Sequence, residues 1–276
     1  MSDPTLVPRD ALHGVRVGIS VSESADLGRL GLTPQHCELA VAELARSIMI
    51  AGGTVVYGGR LVPLGFTDIL LDEVRRFRED REALIICLAE TEHRKLRDDE
   101  LIDRQRELTS SAEIVCLDEE GNQVDPGHRP KPTKPVDASR ALTAMRRYMT
   151  SNSHARVLVG GRLRGYEGQM PGVVEEALLS TSEALPLYVA GGFGGASAAV
   201  AFELGRSDRD WVPKGIPDGA DEVSDALAAV AEAEKKAGVA PDGLEPEQRR
   251  QLAATHRPAD IATLVISGLA RRGRGR

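Results

Sequence analysis

Three glycine pairs stand at corresponding places in this sequence, each after a short apolar run, and two of them are followed by arginine. Glycine lets a backbone approach a ligand closely or adopt positive φ, and arginine offers a planar fork of donors that suits a phosphate. Tight turns alone would also use glycine, but three such pairs favour a phosphate-bearing ligand. The candidate binding residues here are Tyr57, Gly58, Gly59, Arg60, Gly160, Gly161, Arg162, Arg164, Gly192, Phe193 and Gly194.

A second candidate group begins at Pro171-Gly172 and continues to Glu175 and Glu176. The Pro-Gly step predicts the start of a helix whose first turn carries the two carboxylates. Two interpretations remain open. The carboxylates can stabilise the helix N-terminus through its dipole, or one of them can face a ligand, accept a hydrogen bond from a ribose hydroxyl or act as an acid or base.

Hydroxyl groups form a third candidate group, in which Ser22 and Ser24 follow an alternating apolar run. Ser22 stands where a G-x-S-x-G nucleophile elbow has its last glycine, which disfavours triad chemistry. The hydroxyls can donate to a phosphate or ribose, or they can simply belong to a turn. Thr67, predicted to cap a helix, joins this candidate set.

Metal and cofactor chemistry finds little support in the sequence. The six histidines are scattered and form no HxxxH or HxH pair, which are the spacings that hold zinc. No Gly-Lys-Ser/Thr step exists, and the first glycine-rich turn lacks the G-x-G-x-x-G fingerprint of dinucleotide enzymes. We therefore expect no metal and no bound cofactor, with a nucleotide as a possible ligand.

Short apolar runs alternate with helical stripes along most of the chain, as in parallel βαβ units with right-handed crossovers. Thr33 with Pro34 marks the first helix start. The predicted fold is α/β, a Rossmann-like, open, mostly parallel sheet flanked by helices, with extra C-terminal helices. In such sheets ligands bind at the carboxyl ends of the strands. Strands are predicted at residues 15–21, 54–57, 83–89, 113–117, 156–159 and 187–190.

The alternation is interrupted at residues 118–137, where four prolines and a Gly-Asn step predict a turn followed by an extended surface loop. The same alternation resumes afterwards, so one domain is predicted for residues 1–205. A helical extension is predicted for residues 206–276. Its helices are expected at residues 221–236, 245–255 and 259–271.

Composition limits the partners. The 276 residues are 41% apolar and 28% charged, which is typical of a soluble globular protein. The net charge of -7 and the 3% aromatic content make nucleic acid an unlikely partner, although residues 271–276 form a basic tail that leaves an interaction module as a weaker alternative.

No apolar run approaches the roughly 20 residues of a membrane span, and the three cysteines form no CxxC pair. We therefore expect a cytoplasmic protein without a membrane segment, whose thiols are buried and reduced. The apolar face of the helix at residues 259–271 suggests a homodimer.

The motifs YGGR, PGVVEE and GGFGG, in this order over about residues 15–204, resemble the SLOG superfamily of Rossmann-like domains. The pattern is most similar to the ligand-sensing branch found in melastatin-type TRP channels and in prokaryotic defence systems. The resemblance implies a sensor for an NAD-derived or nucleotide-like ligand such as ADP-ribose, with prokaryotic signalling or defence as its expected setting.

The same superfamily contains the Lonely Guy phosphoribohydrolases. The alternative function is therefore an N-glycosidase that acts on a nucleoside monophosphate, with Glu175 or Glu176 as the catalytic carboxylate and Arg162 holding phosphate. Val173 stands where the enzyme motif has glycine, and the Gly-Thr element of that motif is missing. These departures put hydrolysis in doubt more than nucleotide binding.

Overall fold

A seven-stranded sheet forms the centre of the computed structural model, which describes residues 7–61, 65–77, 83–130, 134–208, 213–216 and 221–273. The strands are β1 (Arg16–Ser22), β2 (Thr54–Gly58), β3 (Leu84–Leu88), β4 (Glu113–Leu117), β5 (Gln123–Val124), β6 (Ala155–Gly160) and β7 (Leu187–Ala190). The helices are α1 (Pro34–Ile50), α2 (Phe66–Phe77), α3 (Glu90–His93), α4 (Asp98–Leu108), α5 (Ala138–Ser151), α6 (Gly172–Ser182), α7 (Gly195–Glu203), α8 (Asp221–Ala237), α9 (Pro246–Ala254) and α10 (Pro258–Gly273).

The strand order is β5-β4-β3-β2-β1-β6-β7, and all pairs are parallel except β4 with β5. The chain first runs outward from β1 to β5, and α5 then carries it back to β6 on the other side of β1. The strand order therefore reverses between β1 and β6, which is the position where open α/β sheets bind ligands. The predicted Rossmann-like α/β fold is confirmed.

Helices cover both faces of the sheet. Since successive strand residues point to opposite sides, neighbours in one strand contact different helices. Val55 of β2 joins the cluster that contains the buried residues of α1, α2 and α10. Val56, its neighbour, packs with Met145 and Met149 of α5 on the other face. Helix α6 lies beside α5 and contacts β1 and β6.

The C-terminal helices pack directly on this layered unit. Helix α8 lies against α6, α9 against β7, and α10 against α1. Ile261 and Val265 of α10 have no exposed surface. The apolar face on which a homodimer was predicted is thus covered within the chain, so the homodimer stays a prediction without α10 as its surface. The division at residue 205 also stays a prediction.

Three local features differ from the sequence-based expectation. Residues 118–137 contain β5, which forms a short antiparallel hairpin with β4, and the four-residue helix α3 was not predicted. The prediction that Thr67 caps α2 is wrong. The helix begins at Phe66, and the Thr67 hydroxyl donates to the Arg60 carbonyl at 2.7 Å. Residues 131–133 and the tail at 274–276 lie outside the described residues.

Helices long and apolar enough to cross a membrane are absent from the described ranges. All three cysteines are buried and unbridged, as predicted. Burial raises the pKa of each thiol, Cys37, Cys87 and Cys116, to about 12.

These thiols give a prediction for alkaline pH. Because the pKa is raised in the folded state, the unfolded chain loses its thiol protons first as the pH rises from the ordinary value of 9.0 toward about 12. The free energy of unfolding should therefore fall across that window. Native protein should also resist a thiol reagent at mildly alkaline pH, whereas denatured protein reacts at all three cysteines. Rapid labelling of the native protein would contradict the buried placement.

The packing of α10 gives a second prediction. Ile261→Ala should lower the free energy of unfolding by about 2–5 kcal/mol, because it leaves a cavity in the core. Denaturant titration measures this change. Leu39→Ala is the matched control, since Leu39 of α1 is 61% exposed and should change stability by less than about 0.5 kcal/mol. Equal stability of the two variants would mean that α10 is not part of the core.

Candidate functional site

A cleft of about 410 Å³ opens at the carboxyl ends of β1 and β2, beside the N-terminus of α6. Its walls are residues 19–23 and 57–60, the first residues of α6, and side chains of α5. Ligand pockets usually have volumes of about 300–1,000 Å³, so the cleft is large enough for a small molecule. It lies where the order of the strands reverses.

The structure brings half of the predicted site residues to this cleft. Those that line it are Ser22, Tyr57, Gly58, Gly59, Arg60, Thr67, Arg162, Gly172 and Glu176. Those that do not line it are Ser24, Gly160, Gly161, Arg164, Pro171, Glu175, Gly192, Phe193 and Gly194.

The glycines at the end of β6 allow the turn after this strand to pack closely against neighbouring segments. Gly161 has a φ of +107°, and a Cβ added there would lie 2.7 Å from the Cβ of Ala196. Its amide donates to the Ser22 carbonyl at 2.8 Å, and the Arg162 amide donates to the Ser22 hydroxyl at 3.1 Å. These bonds tie the end of β1 to the end of β6 and place Arg162 at the rim of the cleft.

Other residues of the same chain fill the space beside the third glycine segment, which follows β7. Asp26 is fully buried, and its carboxylate accepts from the Gly195 amide at 2.7 Å and from the Lys214 amide at 2.6 Å. A Cβ at Gly194 would lie 2.4 Å from the Cβ of Asp26. An internal carboxylate therefore caps the N-terminus of α7, and these glycines make room for it.

The other end of that segment is covered as well. A Cβ at Gly192 would lie 2.0 Å from the Thr255 carbonyl oxygen, after α9. The Phe193 side chain is fully buried. Sequence patterns cannot show this, because the covering residues lie more than 60 positions away.

The two candidate carboxylates on α6 separate into different roles. Glu175 accepts from the Thr143 hydroxyl at 2.5 Å and forms an ion pair with Arg146, both on α5. A Cβ at Gly172 would lie 2.6 Å from Nη2 of Arg146, so glycine there leaves room for this guanidinium. Glu175 thus anchors α5 to α6, whereas Glu176 faces the cleft.

Sequence reasoning missed two arginines next to the cleft. Arg146 lines it, and no local pattern announces its pairing across 29 positions. Arg156 of β6 is fully buried below the cleft and lies 3.8 Å from the Glu176 carboxylate. Burial lowers the pKa of Arg156, and the Glu176 charge opposes that shift. An arginine inside an otherwise apolar strand was the signal that could have revealed it.

Charges of both signs line the cleft. Arg60 pairs with Glu167 at 3.2 Å and more loosely with Glu92 at 3.7 Å. Arg162 is exposed, and within the described ranges it forms no ion pair. Burial and the nearby Glu176 carboxylate raise the pKa of Tyr57, which is therefore a neutral phenol.

The comparisons with known proteins identify the family. A family model described as SLOG cluster2 matches residues 11–251, which is most of the chain. The protein is therefore a SLOG domain. Within that superfamily it belongs to SLOG cluster2, and the match extends past residue 204 to include α8 and part of α9. Neither a curated protein nor a solved structure matches the chain.

The cap of α7 gives a prediction that separates folding from the cleft. Asp26→Ala leaves the buried Gly195 amide without an acceptor, which costs about 1–3 kcal/mol. Thermal unfolding should show this loss, and Asp26→Asn should lose less because its amide oxygen can still accept. Arg162→Ala, at the rim of the cleft, should leave the melting temperature close to that of the parent, because Arg162 is exposed and forms no ion pair with a described residue. An unchanged melting temperature in Asp26→Ala would show that the cap does not stabilise the fold.

Proposed function

We propose that this SLOG domain binds a nucleotide-like small molecule in the cleft, and that its ligand is NAD-derived, with ADP-ribose as the leading example. The observation that carries the proposal is the exposed Arg162 guanidinium at the rim, the one cleft arginine that forms no ion pair with any described residue. A cation that is held in place by its backbone but has no internal partner suits a ligand phosphate.

The N-terminus of α6 supports the same assignment. Gly172 and Val173 line the cleft, and among the described residues no side chain accepts from the amides of this first turn. The free amides of a first helical turn and the positive end of the helix dipole favour a phosphate. Arg146 lies over Gly172 and adds a second cation nearby.

Carboxylates in the cleft lining suit the remainder of a nucleotide. Glu23, Glu38 and Glu176 line the cleft, and carboxylates accept hydrogen bonds from ribose hydroxyls and exocyclic amines. Arginines and carboxylates therefore share the lining. The cleft suits a ligand that joins phosphate to a sugar and a base rich in hydrogen-bond donors.

Sensing is our preferred role, because Val173 lines the cleft where the related hydrolases have glycine. In this role the domain would report an NAD-derived signal, for example in prokaryotic signalling or defence. Hydrolysis of a nucleoside monophosphate is the second candidate, and one observation favours it. Glu176 faces the cleft with a buried arginine behind it, as a carboxylate that stabilises a cationic sugar would.

Titration calorimetry with ADP-ribose, cyclic ADP-ribose, NAD and AMP tests binding. Arg162→Ala should weaken binding about ten- to hundredfold, since one charge-assisted hydrogen bond is lost. Arg164→Ala is the matched control: Arg164 is also exposed but does not line the cleft, and its loss should leave affinity unchanged. Both variants should melt like the parent, because exposed arginines contribute only about 0–1 kcal/mol to stability. Folded protein that binds none of these nucleotides would refute the proposal.

Chromatography of the incubated nucleotides separates sensing from hydrolysis. We expect AMP and ADP-ribose to be recovered intact with the parent protein. Release of free adenine by the parent but not by Glu176→Gln would instead establish the hydrolase. Release by both proteins would point to a contaminating activity and leave the sensor assignment in place.

A further inference from the structure

Each guanidinium nitrogen of Arg156 has a hydrogen-bond acceptor below the cleft. Its guanidinium donates to the hydroxyls of Ser20 at 3.1 Å, Thr150 at 3.0 Å and Ser180 at 3.1 Å. Among the described residues, the carboxylate within 4 Å of this guanidinium is that of Glu176, at 3.8 Å. Two of these four partners, Ser20 and Glu176, line the cleft.

Stability alone does not account for such an arrangement. The desolvation cost of a buried ion pair can exceed its Coulombic gain, and apolar replacements of similar volume are often neutral or stabilising. Gly18 also gives the guanidinium room, because a Cβ there would lie in a tight contact, 3.2 Å from Nη1 of Arg156. Glycine inside a strand is itself unfavourable. Two unfavourable choices in the centre of the sheet indicate a role in the cleft.

The three hydroxyls differ in where their hydrogens point. Ser180 donates to the Glu176 carbonyl at 2.7 Å, and Thr150 donates to the Arg146 carbonyl at 2.9 Å. The Ser20 hydroxyl accepts from Arg156, and in the described part of the chain it has no acceptor of its own. Since a serine hydroxyl has one hydrogen to donate, that of Ser20 remains available to a ligand in the cleft.

We propose that Arg156 is a positioning residue that makes Ser20 a donor and Glu176 an acceptor toward one hydroxyl group of the ligand. A ligand hydroxyl can accept from Ser20 and donate to Glu176 at the same time, which neither a ketone nor a hydrogen atom can do. On the proposed nucleotide function, on which this inference rests, that group is a ribose hydroxyl. Arg156 itself does not line the cleft, so it acts only through its two partners.

The test measures discrimination rather than affinity. Calorimetry compares AMP and ADP-ribose with their 2′-deoxyadenosine and 3′-deoxyadenosine analogues. The parent should bind the ribonucleotide about tenfold or more tightly than one of the two deoxy analogues, because a site built to bond a hydroxyl rejects a ligand that lacks it. Ser20→Ala, which removes a single oxygen, should bring this ratio close to one.

Arg156 variants test the positioning role. Arg156→Met should also bring the ratio toward one, although it removes no group that lines the cleft, and Arg156→Lys should restore part of it. Ser197→Ala is the control, because Ser197 is also a buried serine, and its hydroxyl bonds to the carbonyls of Ala190 and Gly194, which do not line the cleft. Ser197→Ala should keep the parent's ratio even if its melting temperature falls.

The outcomes separate this inference from the proposed function. A parent that binds none of ADP-ribose, cyclic ADP-ribose, NAD and AMP refutes nucleotide binding as such. A parent that binds ribo and deoxy forms equally, or a Ser20→Ala variant that still discriminates, overturns the hydroxyl assignment alone. Positioning by Arg156 would be contradicted by an Arg156→Met protein that discriminates fully. An Arg156→Lys protein that does not discriminate at all would contradict it as well. If Arg156→Met does not fold, Ser20→Ala and Arg156→Lys still test the proposal.

Discussion

A guanidinium without exposed surface has to find its partners inside the protein, since an uncompensated buried charge costs several kcal/mol. Arg156 finds them on three different elements: Ser20 on β1, Thr150 on α5, and Ser180 with Glu176 on α6. These are also the elements that enclose the cleft. The requirement to satisfy one buried cation thus fixes how the central strand and two neighbouring helices meet, and with it the floor of the site.

The N-termini of α6 and α7 differ in whether a side chain of the protein caps them. The first turn of α7 is closed by the carboxylate of Asp26, which the chain supplies from the segment after β1. The first turn of α6 has no side-chain cap and borders the cleft. Glycine-containing turns therefore serve internal packing in one place and border the accessible cleft in another. Only the path of the intervening chain distinguishes them.

This contrast shows how far sequence reasoning reaches. Local periodicity predicted the alternation of strands and helices, because it follows from residues close in the chain. Four of the predicted site residues, Tyr57, Arg60, Arg162 and Glu176, line the cleft, and their contact with a ligand stays a prediction. It could not foresee the partner of Glu175, which lies 29 or more residues away, or Asp26 at the end of α7, 169 residues away. Such pairings depend on how elements pack, which a single sequence does not encode in any nearby pattern.

Gly18 of β1 and Arg156 of β6 are paired residues on neighbouring strands of the sheet. A side chain at position 18 would press against the guanidinium, and a short apolar residue at position 156 would leave that space empty. The two positions therefore share one volume. Across the family they are expected to change together in evolution, with alanine or a larger residue at the first position accompanied by the loss of arginine at the second.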